Sequence, residues 1–318
     1  MLGYIVRRIL SLVPTLFFAS VIVFVTIRMI PGDTIDLMIA QNDTGAIQQS
    51  REQLEAALGF DRPIYVQYVK WVGSILLEGD LGQSLWTKSS VTEELFSRLP
   101  VTFTLGFLAL LVSVLLGVPV GVYAALRQDT FGDYLLRTLS ILLLAVPSFW
   151  VGTIVMVFPA IWWGWSPSVR HIHFVDDPFG YFVQLLVPAA ILGSAFSAIV
   201  MRLTRALMLD VFRQDYIRTA RAKGLSTGTI VMRHALRNAL VPVVTLIGLQ
   251  APLLFGGAVI LEQIFVIPGI GLLLLESVAN RDYPMVTGVF LVVGVAVVLI
   301  NLLVDVSYGF LDPKVRAK

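Results

Sequence analysis

Few residues of this chain have the types and spacing that catalysis requires. Gly224-Leu-Ser226-Thr-Gly228 matches the GxSxG pattern of a serine nucleophile, but that motif needs a preceding strand and distant Asp and His partners. The residues before it have helical spacing, and the only later histidine, His234, is eight positions from the serine. We therefore interpret the motif as a helix break and restart, with a hydrolase acting through Ser226 as an alternative, and we expect no catalytic residue.

Metal chemistry and nucleotide hydrolysis also lack a clear site. His171 and His173 form an HxH pattern beside Asp176 and Asp177, but histidines in a short polar loop usually face solvent, so we predict no metal site. Cysteine is absent, which excludes disulfides, thiolate metal sites and thiol nucleophiles. The chain has no GxxxxGK[ST] loop, so it is not itself a P-loop ATPase. We expect no cofactor in this chain.

The most informative segment is a basic block, Met201–Asn238, which lies between two long apolar runs. It contains eight of the 23 Lys and Arg residues. A charged, helix-forming block of this length cannot lie in lipid, so it must protrude as a structured loop, and its positive charge predicts the cytoplasmic side. An ordered cytoplasmic loop on a membrane protein is usually offered to a soluble partner.

The basic block has the local signals of two helices joined by a turn. The segment from Asp210 to Lys223 has the apolar spacing of a short helix, and Gly224 follows as a C-cap. Ser226 or Thr227 can cap a second helix that runs to Asn238. Such a helix-turn-helix, held between two spans, can transmit the movement of a partner; the alternative is a solvated basic loop that only fixes topology.

Composition predicts that the rest of the chain lies in a membrane. Hydrophobic residues make up 57% and charged residues 14% of the 318 positions, against about 45–50% and about 25% in soluble domains. The fold class that we predict is an all-α integral membrane protein with six transmembrane helices, an outer helical subdomain after the first helix and a cytoplasmic helix-turn-helix coupling loop. Six apolar runs reach the roughly 20 residues that span a bilayer, namely Ile9–Ile27, Thr102–Leu126, Leu135–Trp163, Phe182–Met201, Leu240–Leu261 and Met285–Phe310.

These elements predict three regions. Residues 1–30 hold the N-terminal cytoplasmic end and the first transmembrane helix, residues 31–99 an extracytoplasmic helical subdomain, and residues 100–318 a core of five helices that includes the coupling loop 202–238. The cytoplasmic segments then contain 15 of the 23 Lys and Arg residues, so the positive-inside rule places both termini in the cytoplasm. Helices are predicted at 51–58 and 64–75 of the outer subdomain, which is either a cap on the helix ends or a docking ledge for an external delivery protein.

The predicted spans contain few groups that could couple transport to an ion. Glu262 and Asp305 lie near helix ends, where we expect water to reach them, whereas ion-coupled carriers usually place carboxylates at mid-membrane. We therefore expect the energy source to lie outside this chain; a self-sufficient channel or secondary transporter is the alternative. Small or polar groups in the fourth and fifth spans are candidates to line a substrate pathway, although each could equally serve packing: Ser194, Ser197, Gln250, Gly256 and Gly257.

The basic block also carries a family resemblance. Its sequence YIRTARAKGLSTGTIVMRHALRNALVP, Tyr216–Pro242, resembles the EAA-type loop of ABC importer inner-membrane permeases, in the oligopeptide/dipeptide/nickel branch. Segments at the start of the chain, at 58–85, at 146–152 and from RDYP to the end are similar to that branch in the same order. The chain departs from the general loop pattern, because Arg218 occupies the Glu position and His234 the Ile position when aligned on Gly224. A function that relies on the glutamate of the family pattern therefore cannot be assigned to this chain.

The resemblance implies a non-catalytic permease subunit of an ATP-driven importer, which forms half of a pathway for peptides or similar small solutes. The implied partners are a second homologous permease subunit, two ATP-binding subunits that hold ATP and magnesium, an extracytoplasmic substrate-binding protein and membrane lipid, with no nucleic acid. The implied location is the plasma (inner) membrane of a bacterium or archaeon. The branch transports peptides, nickel, glutathione and some oligosaccharides, and the resemblance does not choose among them. The implied ATPase-docking segment consists of Arg218, Thr219, Ala220, Arg221, Ala222, Lys223 and Gly224.

Overall fold

Helices make up the regular structure of the described chain. A computed structural model describes residues 2–29, 61–166 and 171–311, so the predicted helix at 51–58 lies outside the described residues. Within these ranges there is one isolated β-bridge and no strand. The helices are α1 (Leu2–Arg28), α2 (Ile64–Glu78), α3 (Val91–Leu126), α4 (Phe131–Ala145), α5 (Ser148–Trp163), α6 (Pro178–Phe212), α7 (Asp215–Ala222), α8 (Thr227–Thr229), a π-helical segment (Ile230–Ala235), α9 (Leu236–Ile264), α10 (Ile270–Ala279) and α11 (Tyr283–Leu311).

The predicted fold class is confirmed. Five stretches of helix in the described ranges are long and apolar enough to cross a membrane, and α4 together with α5 makes a sixth. Two spans extend far beyond the apolar runs that predicted them. Helix α3 contains 36 residues and α6 contains 35, because each continues into a polar segment that keeps its helical conformation. For α6, this extension takes in the first third of the basic block.

The third predicted span, Leu135–Trp163, is not one straight helix. Helix α4 ends at Ala145, α5 begins at Ser148, and their axes differ by 89°. The cause is Pro147, which has no N–H to donate and whose ring disfavours helical backbone at the preceding residue. Val146 accordingly has an extended conformation, with ψ at 121°. The span is therefore broken at Pro147.

The described residues form two compact units. One comprises Val101–Gly271 together with the chain from Ile300. Its core lies where α3, α6 and α9 meet, around fully buried leucines such as Leu105, Leu185 and Leu261. Small residues bring α3 and α6 together, since a Cβ added at Gly193 would lie 2.4 Å from the carbonyl oxygen of Ala109. Close helix approach of this kind is typical of membrane bundles, where small residues replace a hydrophobic driving force.

The second unit comprises 2–29, 61–100 and 272–299. The helix predicted at residues 64–75 is present as α2, and it contacts α1 through aromatic rings and a 2.8 Å hydrogen bond between the hydroxyls of Ser20 and Tyr68. In the same unit, the hydroxyl of Ser84 donates to the buried carboxylate of Asp282, which also accepts from the backbone N–H of Leu85. Two sequence segments of the family resemblance, one ending at position 85 and one beginning at 281, therefore meet in space.

Candidate coupling segment and pathway residues

The basic block is held between two long helices. Helix α6 continues to Phe212 and α7 begins at Asp215, so the predicted start of the short helix at Asp210 was wrong by about one turn. The reason is that nothing interrupts α6 at the end of its apolar run. The connection of Arg213 and Gln214 is short, which leaves α7 little freedom to move independently of α6.

One face of α7 is fixed to the chain itself. Ile217 is fully buried and Ala220 is 7% exposed, and both lie in a cluster with Met208 of α6 and Ala235 of the π-helical segment. The amide of Asn238 also donates a 2.8 Å hydrogen bond to the hydroxyl of Tyr216. The buried apolar face and the hydrogen bond between Asn238 and Tyr216 together make α7 a rigid part of its unit.

The opposite face of α7 is exposed. Arg218 pairs with Asp215 across 3.2 Å, but these side chains are 73% and 93% exposed, so the pair is solvated and contributes little to stability. Of the seven predicted docking residues, Ala220 alone turns inward, where it positions the helix. The other six are exposed: Arg218, Thr219, Arg221, Ala222, Lys223 and Gly224. They present a basic surface with small side chains between the cations.

The end of α7 has a defined geometry, and the predicted C-cap at Gly224 is confirmed. Gly224 has φ at +76°, a left-handed conformation that glycine adopts without steric cost. Its N–H donates to the carbonyl of Arg221, 2.9 Å, and the N–H of Leu225 donates to that of Ala220, 3.3 Å. These two bonds make the Schellman arrangement that closes a helix. The chain then turns sharply and exposes Gly224 at its apex.

The second predicted helix is also present and begins where expected. The hydroxyl of Ser226 accepts a hydrogen bond from the N–H of Thr229, 3.4 Å, which is the bond of an N-cap. No strand precedes this serine, so a nucleophile elbow is not formed. The helix passes through the π-helical segment and continues without a break as α9 to Ile264, well beyond the predicted end at Asn238. Short π segments often occur at functional positions in helices.

The predicted pathway residues have different surroundings. The hydroxyl of Ser194 donates to the carbonyl of Ile191, and that of Ser197 to the carbonyl of Ser194. A Cβ added at Gly257 would lie 2.7 Å from Leu192. Contacts of this kind occur in helix packing, and a pathway role for Ser194, Ser197 and Gly257 stays a prediction.

The two remaining predicted pathway residues differ from these. Gly256 is exposed and has no atom within 4 Å of an added Cβ, and Gln250 is half-buried. A pathway role for Gln250 and Gly256 stays a prediction.

The expectation that water reaches Glu262 was wrong. Its side chain is fully buried, with one oxygen accepting from the hydroxyl of Thr102, 2.6 Å, and the other from the N–H of Gly271, 2.7 Å. The chain folds back over the carboxylate between α9 and α10, and glycine at 269 and 271 leaves room for it. The spacing of these two glycines after a glutamate in an apolar helix is the sequence signal that could have revealed this site.

A second buried carboxylate fixes the base of the basic block. Arg205 donates to both oxygens of Asp133, at 2.7 and 2.6 Å, and Asp133 is fully buried. The N–H of Asp129 donates to the same carboxylate. One of the eight cations in the block is therefore a structural partner for α4 and is not part of the exposed surface. Sequence reasoning missed this pair because 72 residues separate its members.

The HxH pattern adopts a compact arrangement of its own. The rings of His171 and His173 meet edge to face with centroids 4.6 Å apart. Burial lowers the pKa of His171 because it disfavours the charged imidazolium, and the adjacent His173 lowers it further because two positive charges repel. Within 2–29, 61–166 and 171–311, no three His, Asp or Glu side chains come together as metal ligands would.

Known proteins match this chain along its length. Residues 117–317 match the family described as "Binding-protein-dependent transport system inner membrane component", and residues 1–106 match "Binding-prot-dependent transport system membrane comp, N-term". The "Di/tripeptide transport system permease protein DppB" of Pseudomonas aeruginosa (strain UCBPP-PA14) is 38% identical over 99% of both chains. The "Oligopeptide transport system permease protein AppB" of Bacillus subtilis (strain 168) is 38% identical over 99% of this chain and 100% of its own. The "Dipeptide transport system permease protein DppB" of Escherichia coli (strain K12) is 37% identical over 100% of both.

The similarity seen first in the basic block thus extends over nearly every residue. The N-terminal match covers α1 and α2, and the second match contains the exposed face of α7. The chain belongs to the binding-protein-dependent transport system inner membrane component family and is a membrane permease subunit of an ABC importer.

Proposed function

We propose that this permease subunit forms half of the translocation pathway for peptides or chemically similar small solutes. The three relatives described above are named as peptide permeases and align over their full lengths, which supports the same cargo class for this chain. The other half of the pathway comes from a second, homologous permease subunit. An external substrate-binding protein delivers the cargo, and two ATP-binding subunits supply ATP and magnesium. The chain itself performs no catalysis.

The exposed face of α7 is the observation that carries this proposal. It is basic, it ends in a fixed glycine turn, and it extends from a helix whose other face is buried through Ile217 and Ala220. Closure of the ATP-binding subunits would move the segment Arg218–Gly224. Because α7 contacts the π-helical segment that continues into α9, such a movement would reach the membrane as a displacement of α9.

The same proposal includes an orientation. With the basic block in the cytoplasm, both termini are cytoplasmic and the segment 31–99 is extracytoplasmic, where the binding protein would dock. This arrangement puts most of the Lys and Arg residues inside, as the positive-inside rule requires. The buried Glu262 does not favour an ion-coupled carrier, because both of its oxygens accept hydrogen bonds from within the chain.

Reconstituted transport tests the proposal. The four-subunit complex in proteoliposomes, with the binding protein outside, is expected to accumulate a labelled dipeptide only when ATP is enclosed with the ATP-binding subunits. Uptake by this chain alone, driven by a proton or sodium gradient, would instead indicate a secondary carrier. Uptake of nickel or an oligosaccharide in place of peptides would contradict the cargo class and leave the ATP-driven mechanism intact.

Charge reversal on α7 tests the coupling surface. The double substitution Arg221→Glu and Lys223→Glu changes two exposed residues, so folding should be unaffected while the ATP-binding subunits no longer co-purify. The matched control is Arg233→Glu with Arg237→Glu, two exposed cations of the π-helical segment and α9. Retention of the ATP-binding subunits by the α7 variant, or equal loss in the control, would refute docking at this face.

A further inference from the structure

A cleft between α4 and α6 collects three arginines at one end of the apolar bundle. Its volume is about 240 Å³, and it is lined by Arg137, Ser140, Ile141, Arg202 and Arg205. All five residues belong to the unit that contains Val101–Gly271. Neither the docking face of α7 nor the predicted pathway includes any of them. The transport mechanism proposed above therefore leaves this cleft without a role.

The arginines of the cleft are not equivalent. Arg205 is neutralised by Asp133, which accepts from two of its nitrogens. Arg137 and Arg202 are exposed, and within the described ranges neither forms an ion pair. The cleft therefore carries two uncompensated positive charges beside a rigid ion pair. Guanidinium groups in such a setting favour an oxyanion, because their planar N–H donors match carboxylate and phosphate oxygens.

The position of the cleft along the helices identifies the kind of anion. Arg202 directly follows the apolar run Phe182–Met201, and Arg137 lies at the beginning of the apolar run that starts at Leu135. Both cations therefore lie where hydrocarbon gives way to the headgroup layer of the membrane. A phosphate group of a lipid occupies that layer, and basic pockets between transmembrane helices are known to bind such headgroups.

The surface next to the cleft is suited to acyl chains. Ile141 lines the cleft and is 58% exposed, and Leu144, one turn beyond Ser140 on the same face of α4, is also exposed. These two apolar side chains extend this face of α4 toward the hydrocarbon. The cleft is smaller than the roughly 300–1,000 Å³ of pockets that enclose a whole small molecule. It can hold a headgroup while the chains of the lipid lie along α4 outside it.

We propose that Arg137 and Arg202 bind the phosphodiester headgroup of an anionic phospholipid, which bridges α4 and α6 beside the Asp133–Arg205 pair. The bound lipid would contact α6 at Arg202, ten residues before that helix ends at Phe212, and would stabilise this part of the helix. Membrane lipid composition would then affect the stability of the helix that leads into α7. This proposal is independent of the cargo and of docking to the ATP-binding subunits.

Lipid retention by the assembled transporter tests this proposal. The complex is purified in detergent and exposed to phosphatidylglycerol or to phosphatidylcholine with the same acyl chains, and bound lipid is counted by native mass spectrometry. The expected result is preferential retention of phosphatidylglycerol. In Arg137→Gln with Arg202→Gln, this retention should fall about thirtyfold, since each basic residue near an anionic lipid contributes about a factor of five. The matched control, Arg233→Gln with Arg237→Gln, should retain it.

Four results would count against the proposal. Equal retention of both lipids by the unsubstituted transporter, a test that needs no variant, would exclude selective anion binding. An equal fall in the control variant would indicate charge attraction without a site. Displacement of the phosphatidylglycerol by millimolar inorganic phosphate would assign the cleft to a free anion. Phosphatidylglycerol should raise the melting temperature of the unsubstituted complex above its value in phosphatidylcholine, and no difference would also count against the bridge.

Discussion

The hydroxyl of Thr102 donates a 2.6 Å hydrogen bond to the buried carboxylate of Glu262, across 160 positions of sequence. The same hydroxyl accepts from the N–H of Ile270, 2.8 Å. Thr102 therefore links α3 to the end of α9 and to the first residue of α10. The carboxylate of Glu262 also accepts from the N–H of Gly271 in the first turn of α10, so it complements the positive end of that helix. The buried carboxylate of Glu262 therefore has a structural role.

Removing this hydroxyl should destabilise the permease. Thr102→Val keeps the shape of the side chain but leaves one oxygen of Glu262 and the N–H of Ile270 without this partner. The expected cost is about 1–3 kcal/mol, the penalty for a buried polar group that loses its hydrogen bond. Thermal unfolding in detergent measures it. Ser113→Ala is the control, because Ser113 is also buried in α3 but bonds only to the carbonyl of Leu110 in its own helix. Equal melting temperatures for the two variants would contradict the link.

The contact of α3 with α6 predicts opposite outcomes at two glycines. Gly193→Ala places a methyl group 2.4 Å from the backbone oxygen of Ala109, so the helices must separate and stability should fall by about 1–3 kcal/mol. Gly106 of α3 has nothing within 4 Å of an added Cβ. Gly106→Ala should therefore be neutral or stabilising by up to about 1 kcal/mol, from helix propensity alone. A denaturation series of the two variants checks the prediction, and a stable Gly193→Ala would show that the contact is looser.

The pair of Asp133 and Arg205 should behave as a buried ion pair. Arg205→Met leaves a carboxylate that is fully buried without its partner, at an expected cost of about 3–5 kcal/mol. Adding Asp133→Asn removes the stranded charge and should recover much of that loss. The comparison of single and double variants by thermal unfolding is the test. A double variant that is less stable than Arg205→Met would contradict this assignment.

The glycine that ends α7 should be more sensitive than its neighbour in the GxSxG pattern. Gly224→Ala forces a side chain into a left-handed backbone conformation, at about 1–2 kcal/mol. We expect it to reduce coupled ATP hydrolysis in the reconstituted transporter, and Gly224→Asn to reduce it less. Gly228→Ala is the control, since Gly228 is exposed and in helical conformation with nothing within 4 Å. A larger loss in Gly228→Ala would argue that the turn at Gly224 has no special role.

What the sequence predicted well depends on local interactions. The C-cap at Gly224 and the N-cap at Ser226 follow from backbone conformation within one turn, so neighbouring residues suffice to predict them. The spans follow from apolar length in the same way. Helix α6 was predicted too short because polar residues do not end a helix by themselves.

Side-chain contacts between residues far apart in the chain could not be predicted from the sequence. The partners of Glu262 and Asp133 lie 160 and 72 positions away, and only the fold brings them together. The pathway residues show the same limit. A serine or glycine in a span can pack against a neighbouring helix or line a channel, and the sequence does not distinguish the two roles. Pro147 lies inside the third apolar run, but whether a proline kinks or breaks a span depends on the angle through which the next helix turns.

Cross-linking from the exposed face of α7 tests the central claim most directly. The chain has no cysteine, so Ala222→Cys and Val175→Cys each introduce a unique thiol at an exposed position. In the assembled transporter, we predict that the thiol at 222 cross-links to an ATP-binding subunit and reacts with an impermeant reagent only after the membrane is opened. The thiol at 175 should react from outside and form no such cross-link. Reaction of 222 from outside, or its failure to reach the ATP-binding subunit while 175 does, would contradict the account.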